Sequence, residues 1–409
     1  MKNIPEPGRR NVTLRIDRSG ERALRKRHPW LFEDGVEEQS HEGKAGDLAV
    51  IFDRHRKFMA VGLYDPKSTI RVRVLHCGKP LTIDAEFFAE RLREIVGRRA
   101  EIVGAGTTGY RLVNGENEGM PGLVVDRYAD TLVLKLYTPA WLPRLRDVLP
   151  GLAAAAPFER LVLRLSRDCQ RRKADLFGFE DGNILIGPPL EGAFSFEENG
   201  LLFECDPLRG QKTGFFLDQR DNRARVERMA DERAVLNVFA YSGGFSLYAA
   251  RGGATSVVSL DQSRPALDAA KRNFARNRAE GRVPEVPHDL MEGDAFELLE
   301  SMGRKKRRFD LVVIDPPSFT SRNSHVDGAL SSYRRLARLG VGVLSSGGRL
   351  VMASCSSRVS SEDFFRAIHR AAREAGRPLE ELQRTAHADD HPVGFPEGAY
   401  LKCLYAEVP

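Results

Sequence analysis

The sequence has no apolar run approaching the roughly 20 residues that a membrane span needs. Its opening stretch, MKNIPEPGRRNVTLRIDRSGERALRKRHPW, carries no apolar segment after its charges. No membrane partner and no secretory signal are expected, and the chain is expected in the cytoplasm. Cysteine is scarce: Cys77, Cys169, Cys205, Cys355 and Cys403 are odd in number, widely scattered and never spaced C-x-x-C. That argues against a disulfide framework and a zinc site, so no metal is expected and each thiol is judged alone. Charge of one sign is also nearly lacking. With 63 Lys and Arg against 57 Asp and Glu, the net +6 is weak evidence for a nucleic-acid partner. No internal repeat is visible.

The 409 residues imply several domains with room for a substantial core. Up to about Leu75 the chain reads as short strands, NVTLRID, GDLAVIFD, KFMAVGLYD and STIRVRVL, divided by Gly, Asp, Pro and Ser turns. This is the pattern of a small all-β module over 1–75. Within it Arg22, Arg25, Lys26, Arg27 and His28 precede Trp30 and Phe32, which sets phosphate-pairing charges beside stacking surfaces. A solvated helix end followed by core aromatics accounts for the segment equally well. Residues 76–190 read as a small α+β domain. DAEFFAERLREIVGRRAEI has helical spacing, GLVVDRY and TLVLKLY form a hairpin, WLPRLRDVLPGLAAAA is a helix, and RLVLRLS and NILIG are strands. The loop VNGENEGMPG, with Glu116 and Glu118, is either a plain turn or an approach to an active site.

Over 191–409 the apolar strands VLNVFA, SVVSLD, FDLVVID and GRLVMAS each precede a helical pattern, as in a doubly wound α/β sheet. AYLKCLYAEV is expected as an antiparallel edge strand. In LNVFAYSGGFSLYAA a strand, a Gly-containing turn and a helix follow one another, and such turns bind ligands at the carboxyl ends of strands. Gly243 and Gly244 are adjacent with no third Gly in place, so the dinucleotide fingerprint is lacking and a pyrophosphate cradle is disfavoured. Asp261 ends the next strand, where a carboxylate accepts from ribose hydroxyls. Asp294, in GDAF, is placed to bond an adenine amino group. Either acid alone is also a plausible helix cap. Adenosine without pyrophosphate suggests S-adenosylmethionine, held by Asn237, Phe239, Tyr241, Ser242, Gly243, Asp261 and Asp294.

FDLVVIDPPSF resembles the fourth motif of class I methyltransferases. GQKTGFFLDQRDNR and LNVFAYSGGFSLYAA, with HPWLF, GLYDPKSTIRVRV and MPGLVVDRY, resemble the family that methylates cytosine C5 in large-subunit ribosomal RNA. The resemblance spans nearly the whole chain. It implies a small all-β PUA domain for RNA binding, a central α+β domain and a Rossmann-like class I methyltransferase domain. The partner it implies is large-subunit ribosomal RNA, with homodimerisation left open. It further implies that Gln211, Lys212, Thr213, Gly214, Gln219 and Arg220 close over the methionine part of the cofactor or the flipped base.

In that topology Asp315, Pro316 and Pro317 end one strand and Cys355 follows the next. The prolines force a rigid turn that keeps Asp315 on the ligand crevice. Cytosine C5 is too poor a nucleophile to take a methyl group unaided, and a thiolate adding to C6 supplies what is missing. Cys355 is then the nucleophile, and Asp315 stabilises charge developing at the base N3. Some related enzymes have a Cys directly after the prolines; here Ser318 stands there, leaving Cys355 as the candidate. The other four cysteines read as small buried hydrophobes. Asp218 reads as a helix cap with Asp221 as its capping-box acid, and Asp390 and His391 as a surface pair. Two rivals remain: a guanine N-methyltransferase, which shares D-P-P and needs no thiol, and a non-catalytic RNA-binding assembly factor.

Overall fold

The computed structural model describes residues 4–8, 10–100, 102, 106–319 and 326–409. Residues 1–3 and 9 of the expected all-β module, 101 and 103–105 of the expected α+β domain and 320–325 of the expected methyltransferase domain lie outside them. The chain divides into two compact units. The first comprises Met1–Phe196, Cys205–Phe215 and Asp390–Pro396; the second comprises Glu197–Glu204, Phe216–Asp389 and Glu397–Pro409.

The first unit holds two sheets. One has six strands in the order Trp30–Phe32, Ile70–Cys77, Phe58–Tyr64, Leu48–Phe52, Val12–Ile16, Val36–Gln39. Alternation in VTLRI turns Val12, Leu14 and Ile16 onto a fully buried face and leaves Thr13 exposed. The helix Arg18–Arg25 starts where the Asp17 carboxylate accepts from the Gly20 N–H at 2.7 Å. Beyond that cap Arg18, Arg22, Arg25, Lys26 and Arg27 are all exposed. Phe32 is exposed and Trp30 only half-buried, so these aromatics do not enter a core.

The other sheet has five strands in the order Ile184–Ile186, Arg160–Leu165, Thr131–Leu136, Leu123–Tyr128, Gly109–Asn114. Leu132, Leu134 and Leu136 pack into one core with Phe88, Leu92 and Ile95 of the helix Ala85–Gly97 and with Val148, Leu149 and Leu152 of the helix Leu145–Ala155. The expected hairpin is present as Leu123–Tyr128 against Thr131–Leu136. The segment expected as one helix divides into a 3-10 turn, Pro139–Arg144, and the helix Leu145–Ala155. Pro143 lies in the 3-10 turn, and Pro150 is accommodated within the helix that follows.

The second unit is built on seven strands in the order His288–Glu292, Ser256–Asp261, Ala234–Val238, Phe309–Ile314, Leu344–Ser354, Lys402–Glu407, Glu380–Thr385. The first five pair in parallel. Ser256–Asp261, Ala234–Val238 and Phe309–Ile314 have near-continuous apolar sequences, which suit strands covered on both faces, whereas HDLME at the edge is polar. Lys402–Glu407 is antiparallel, as expected, but it is interior: Leu344–Ser354 lies on one side and Glu380–Thr385 on the other. The true edge, EELQRT, is almost wholly exposed and charged. Such a composition blunts an edge against further pairing and hides a strand from any search for apolar alternation. At Ala234–Val238 the order reverses, with the second strand of this sheet on one flank and the fourth on the other. The carboxyl ends of the strands open a crevice at such a switch point.

Candidate functional site at the carboxyl ends of the seven-stranded sheet

The turn after Ala234–Val238 carries three residues in the left-handed region, Phe239 (φ 61°), Tyr241 (φ 48°) and Gly243 (φ 80°). Two of them are not glycine, and strain of this kind gathers at ligand sites. At Gly243 a side chain is also sterically barred, since a Cβ would lie 2.9 Å from that of Ala270. Asp261 holds the turn from the neighbouring strand. One carboxylate oxygen accepts from the Tyr241 N–H at 2.8 Å and the other from the Ser263 N–H at 2.9 Å. Each oxygen keeps a second lone-pair direction, so capacity for ribose hydroxyls remains. Asp294 is exposed and caps the helix Ala295–Arg304, one oxygen accepting from the Phe296 and Glu297 N–H groups at 2.9 and 3.1 Å. The Gly293 N–H donates to the Asp261 carbonyl at 3.1 Å, which sets the two acids on adjoining turns.

Two buried polar atoms here have no hydrogen-bond partner among the described residues: Asn237 Oδ1 and Ser242 Oγ. A buried polar atom left unpaired costs on the order of 1–3 kcal/mol, which a polar ligand would recover. Unpaired oxygens, an Asp261 carboxylate with capacity left and a turn too tight for a Cβ together fit the nucleoside of S-adenosylmethionine. Asn237 is steadied from below. Its Nδ2 donates to Ser246 Oγ at 2.9 Å, Ser246 Oγ meets Ser259 Oγ at 2.6 Å, and Ser259 Oγ lies 2.8 Å from His288 Nε2. Burial, seconded by the Arg278 charge, pushes the His288 imidazole down to about 4, so it is neutral at ordinary pH. Sequence reasoning missed this chain because its members lie on four separate elements.

Gln219 and Arg220 are buried at the start of the helix Arg220–Arg228. Gln219 Oε1 accepts from Asn222 Nδ2 at 2.6 Å, and the Phe216 ring meets that of Tyr241 at 5.1 Å, bringing this segment to the turn after Ala234–Val238. Asp218 does not cap that helix. The helix begins two residues later, and the Asp218 carboxylate accepts instead from the Tyr400 hydroxyl at 2.8 Å.

The two strands expected to carry Asp315 and Cys355 are neighbours. Phe309–Ile314 and Leu344–Ser354 are parallel, with Ile314 beside Met352, so Asp315 and Cys355 both emerge at the carboxyl edge. Pro316 is buried and Pro317 exposed. Tyr333, from the helix Val326–Gly342, is close enough to feel both Asp315 and Cys355. Burial, opposed by a 2.8 Å hydrogen bond with Ser354 Oγ, raises its phenol to about 12, and Cys355 and Asp315 both add to the rise. Lys402 was also missed. It is 3% exposed, and its ammonium donates to the carbonyls of Ser356 at 2.5 Å and Val359 at 2.6 Å. A lone lysine inside the apolar run AYLKCLYAEV was the available signal.

Other expected candidates serve the first unit. Thr213 is buried, donating to Asp126 at 2.5 Å and pairing with the Tyr128 hydroxyl at 3.0 Å. Glu118 is buried against Arg99 at 2.8 Å, and Glu116 accepts from the Trp30 indole at 3.0 Å. Asp390 and His391, expected as a surface pair, are fully buried, their side chains 2.9 Å apart. The Arg111 N–H donates to the second Asp390 oxygen, so local backbone demand explains the burial. Cys169, Cys205 and Cys403 are buried, as expected, whereas Cys77 and Cys355 are half-buried.

Residues 138–405 match the family model described as S-adenosylmethionine-dependent methyltransferase, and residues 14–76 match that of a PUA-like domain. A Deinococcus radiodurans protein named "Ribosomal RNA large subunit methyltransferase" is 47% identical over 99% of this chain and 100% of its own length. "Ribosomal RNA large subunit methyltransferase I" of Shewanella amazonensis is 36% identical over 97% of this chain and 100% of its own. Among solved structures, a chain from Streptococcus mutans assigned to the SAM-dependent methyltransferases superposes with a TM-score of 0.81 at 22% identity, covering 97% of this chain and 100% of its own. At that identity the likeness concerns the fold.

Proposed function

Since the chain belongs to the S-adenosylmethionine-dependent methyltransferases and carries a PUA-like domain, we propose that it forms 5-methylcytosine in large-subunit ribosomal RNA. The substrate class is supported by the names of relatives matched end to end. The atom methylated is supported chiefly by one observation: a half-buried thiol, Cys355, and the Asp315 carboxylate at the carboxyl edge of adjacent parallel strands.

The cofactor supplies an electrophilic methyl group. Asn237, Phe239, Tyr241, Ser242, Gly243, Asp261 and Asp294 would hold its nucleoside, with Asp315, Pro316, Gln219 and Arg220 nearer its methionine end. The chain's own task is to make C5 nucleophilic. The Cys355 thiolate adds to C6, forming an S–C6 bond and leaving C5 as the nucleophilic carbon of an enamine, while Asp315 shares a proton with N3. Once C5 carries the methyl group its proton leaves to a base, the C5=C6 bond reforms and the thiolate departs. Reaching C5 requires an unpaired or flipped cytosine. We assign 1–75 to RNA binding, with the exposed Arg18, Arg22, Arg25, Lys26 and Arg27 on phosphates. Residues 76–190 are the connecting domain and 191–409 the catalytic one, acting on ribosomal RNA in the cytoplasm.

The test is covalent trapping. RNA bearing 5-fluorocytosine at the target should remain joined to the wild-type enzyme through denaturation, because fluorine cannot leave as the proton does. Cys355→Ala should bind cofactor and RNA, form no adduct and transfer no methyl group. Full methylation by Cys355→Ala would overturn the mechanism and favour methylation of a guanine nitrogen.

A further inference from the structure

Cys355 lies on a turn that a buried lysine ties from below. It follows the last residue of the strand Leu344–Ser354 and precedes the helix Ser361–Glu374. The tie comes from Lys402, whose Cα pairs with that of Ser354 across the antiparallel ladder. From there its side chain runs under the turn and donates to two carbonyls of it, Ser356 O and Val359 O, both in buried residues. Burying an ammonium costs several kcal/mol even with such partners, and one neutral side chain could pack there at lower cost. A buried cation kept at the root of the turn that carries the proposed nucleophile calls for an electrostatic reason.

The surroundings supply one. A thiolate at Cys355 would share the edge of the sheet with the Asp315 carboxylate, and like charges disfavour one another. Asp315 is close enough to be felt by both Tyr333 and Cys403, and Cys355 by both Tyr333 and Lys402. Burial pushes the Lys402 ammonium down to about 8, and Cys355 acts in the opposite sense, as an anion beside a cation does. Among the described residues, the titratable and charged groups around the pair include Asp315, Tyr333 and Cys403, with Arg358 on the turn itself.

We propose that Lys402 is the positioning residue for Cys355: its buried ammonium fixes the turn through two carbonyls and stabilises the thiolate form of that side chain against Asp315. This deepens the cytosine reading given above and rests on it. The influence is reciprocal, so the two groups titrate as a pair. It weakens as the pH rises through about 8, where Lys402 loses its proton.

The experiment is alkylation of Cys355 by iodoacetamide across pH in the full-length protein, read at the Cys355 peptide by mass spectrometry. The wild-type midpoint should fall below the value of about 8.5 for an ordinary thiol. Lys402→Met should raise the midpoint by at least one pH unit, a tenfold or greater loss of rate at neutral pH, and Lys402→Arg should restore most of it. A purely structural lysine would leave the midpoint unmoved in folded Lys402→Met, and that result would overturn the proposal. Should Lys402→Met not fold, the wild-type profile decides: a midpoint at or above the ordinary thiol value overturns it. Alkylation needs neither RNA nor methyl transfer. A protein that fails fluorocytosine trapping but shows the Lys402-dependent midpoint refutes the cytosine chemistry alone, and the reverse pair of results refutes the role of Lys402 alone.

Discussion

The five-stranded sheet of the first unit and the seven-stranded sheet of the second both carry acidic side chains, and they treat them in opposite ways. In the first unit Glu118, Asp126 and Asp65 are buried and fully engaged. Glu118 meets Arg99 at 2.8 Å and accepts from the Asn114 N–H at 2.7 Å; Asp126 meets Arg111 at 2.5 Å and takes the Thr213 hydroxyl. Asp65 is held by Arg172 and Thr138, both at 2.7 Å, and these bonds outweigh the effect of burial and keep its carboxyl below the usual range. In the second unit Asp261 is half-buried and Asp294 exposed, both held by backbone N–H groups, while buried oxygens of Asn237 and Ser242 stay unpaired among the described residues. Hydrogen bonding that is complete marks architecture; hydrogen bonding left unfinished in a strained turn marks a place for a ligand. Arg73 departs from this pattern in the first unit. Its Nε and Nη1 are buried with no hydrogen-bond partner among the described residues, and its charge is answered by Glu116 and Asp65.

The largest expected effect tests the architectural side. Glu118→Ala leaves Arg99 buried without its carboxylate and should cost about 3–5 kcal/mol of stability by urea unfolding. Cofactor affinity of the folded fraction should be unchanged. Loss of cofactor binding at intact stability would break the comparison at its first term.

His288 gives the next effect, through pH. Its value is lowered from 6.5 to about 4 in the folded protein, so the folded and unfolded states bind protons equally above 6.5. As the pH falls below that value the unfolded state takes a proton that the folded state refuses, and stability is lost down to about 4. At pH 5 the loss amounts to about 2 kcal/mol. Unfolding measured at pH 7 and pH 5 should show this difference, and His288→Asn, which can keep a bond to Ser259, should abolish most of it.

Asp261→Ala bears on the ligand side. Ribose hydrogen bonds to a carboxylate are worth about 1.5–3 kcal/mol each, so affinity for S-adenosylmethionine should fall at least tenfold. Calorimetry giving unchanged affinity in a folded variant would remove Asp261 from the site.

How far these differences were legible in the sequence follows from what each depends on. The parallel strands could be read because burial on both faces makes them continuous apolar runs, and SVVSLD was read to the residue as Ser256–Asp261. The strands EELQRT and HDLME escaped because edge strands carry charge rather than apolar alternation. At the candidate site, the strand-end positions of Asp261, Asp315 and Cys355 were legible because each follows directly from an apolar run. Lys402 and the chain from Asn237 to His288 were not, since their meaning arises only when the register sets Ser354 beside Lys402 and Ser259 beside the strand of His288. Burial of Asp390 and His391 was likewise invisible: a polar dipeptide before proline looks like surface until the N–H of Arg111 is found seeking an acceptor.

The smallest effect discriminates best, because the two readings of Ser242 predict opposite signs. If its buried hydroxyl were ordinary packing, Ser242→Ala would leave a small void, lower stability slightly and leave cofactor binding alone. If it awaits a ligand, the cofactor-free protein carries the cost of an unpaired Oγ, and removing the oxygen relieves that cost. Ser242→Ala should then gain up to about 1 kcal/mol of stability without cofactor while losing about fivefold in S-adenosylmethionine affinity. Thermal unfolding with and without cofactor measures both in one experiment: the variant should melt above the wild type when cofactor-free, and the added stabilisation by cofactor should be smaller. A variant that melts lower in the absence of cofactor and binds it normally would make Ser242 architecture and move the boundary between the two kinds of region into the turn itself.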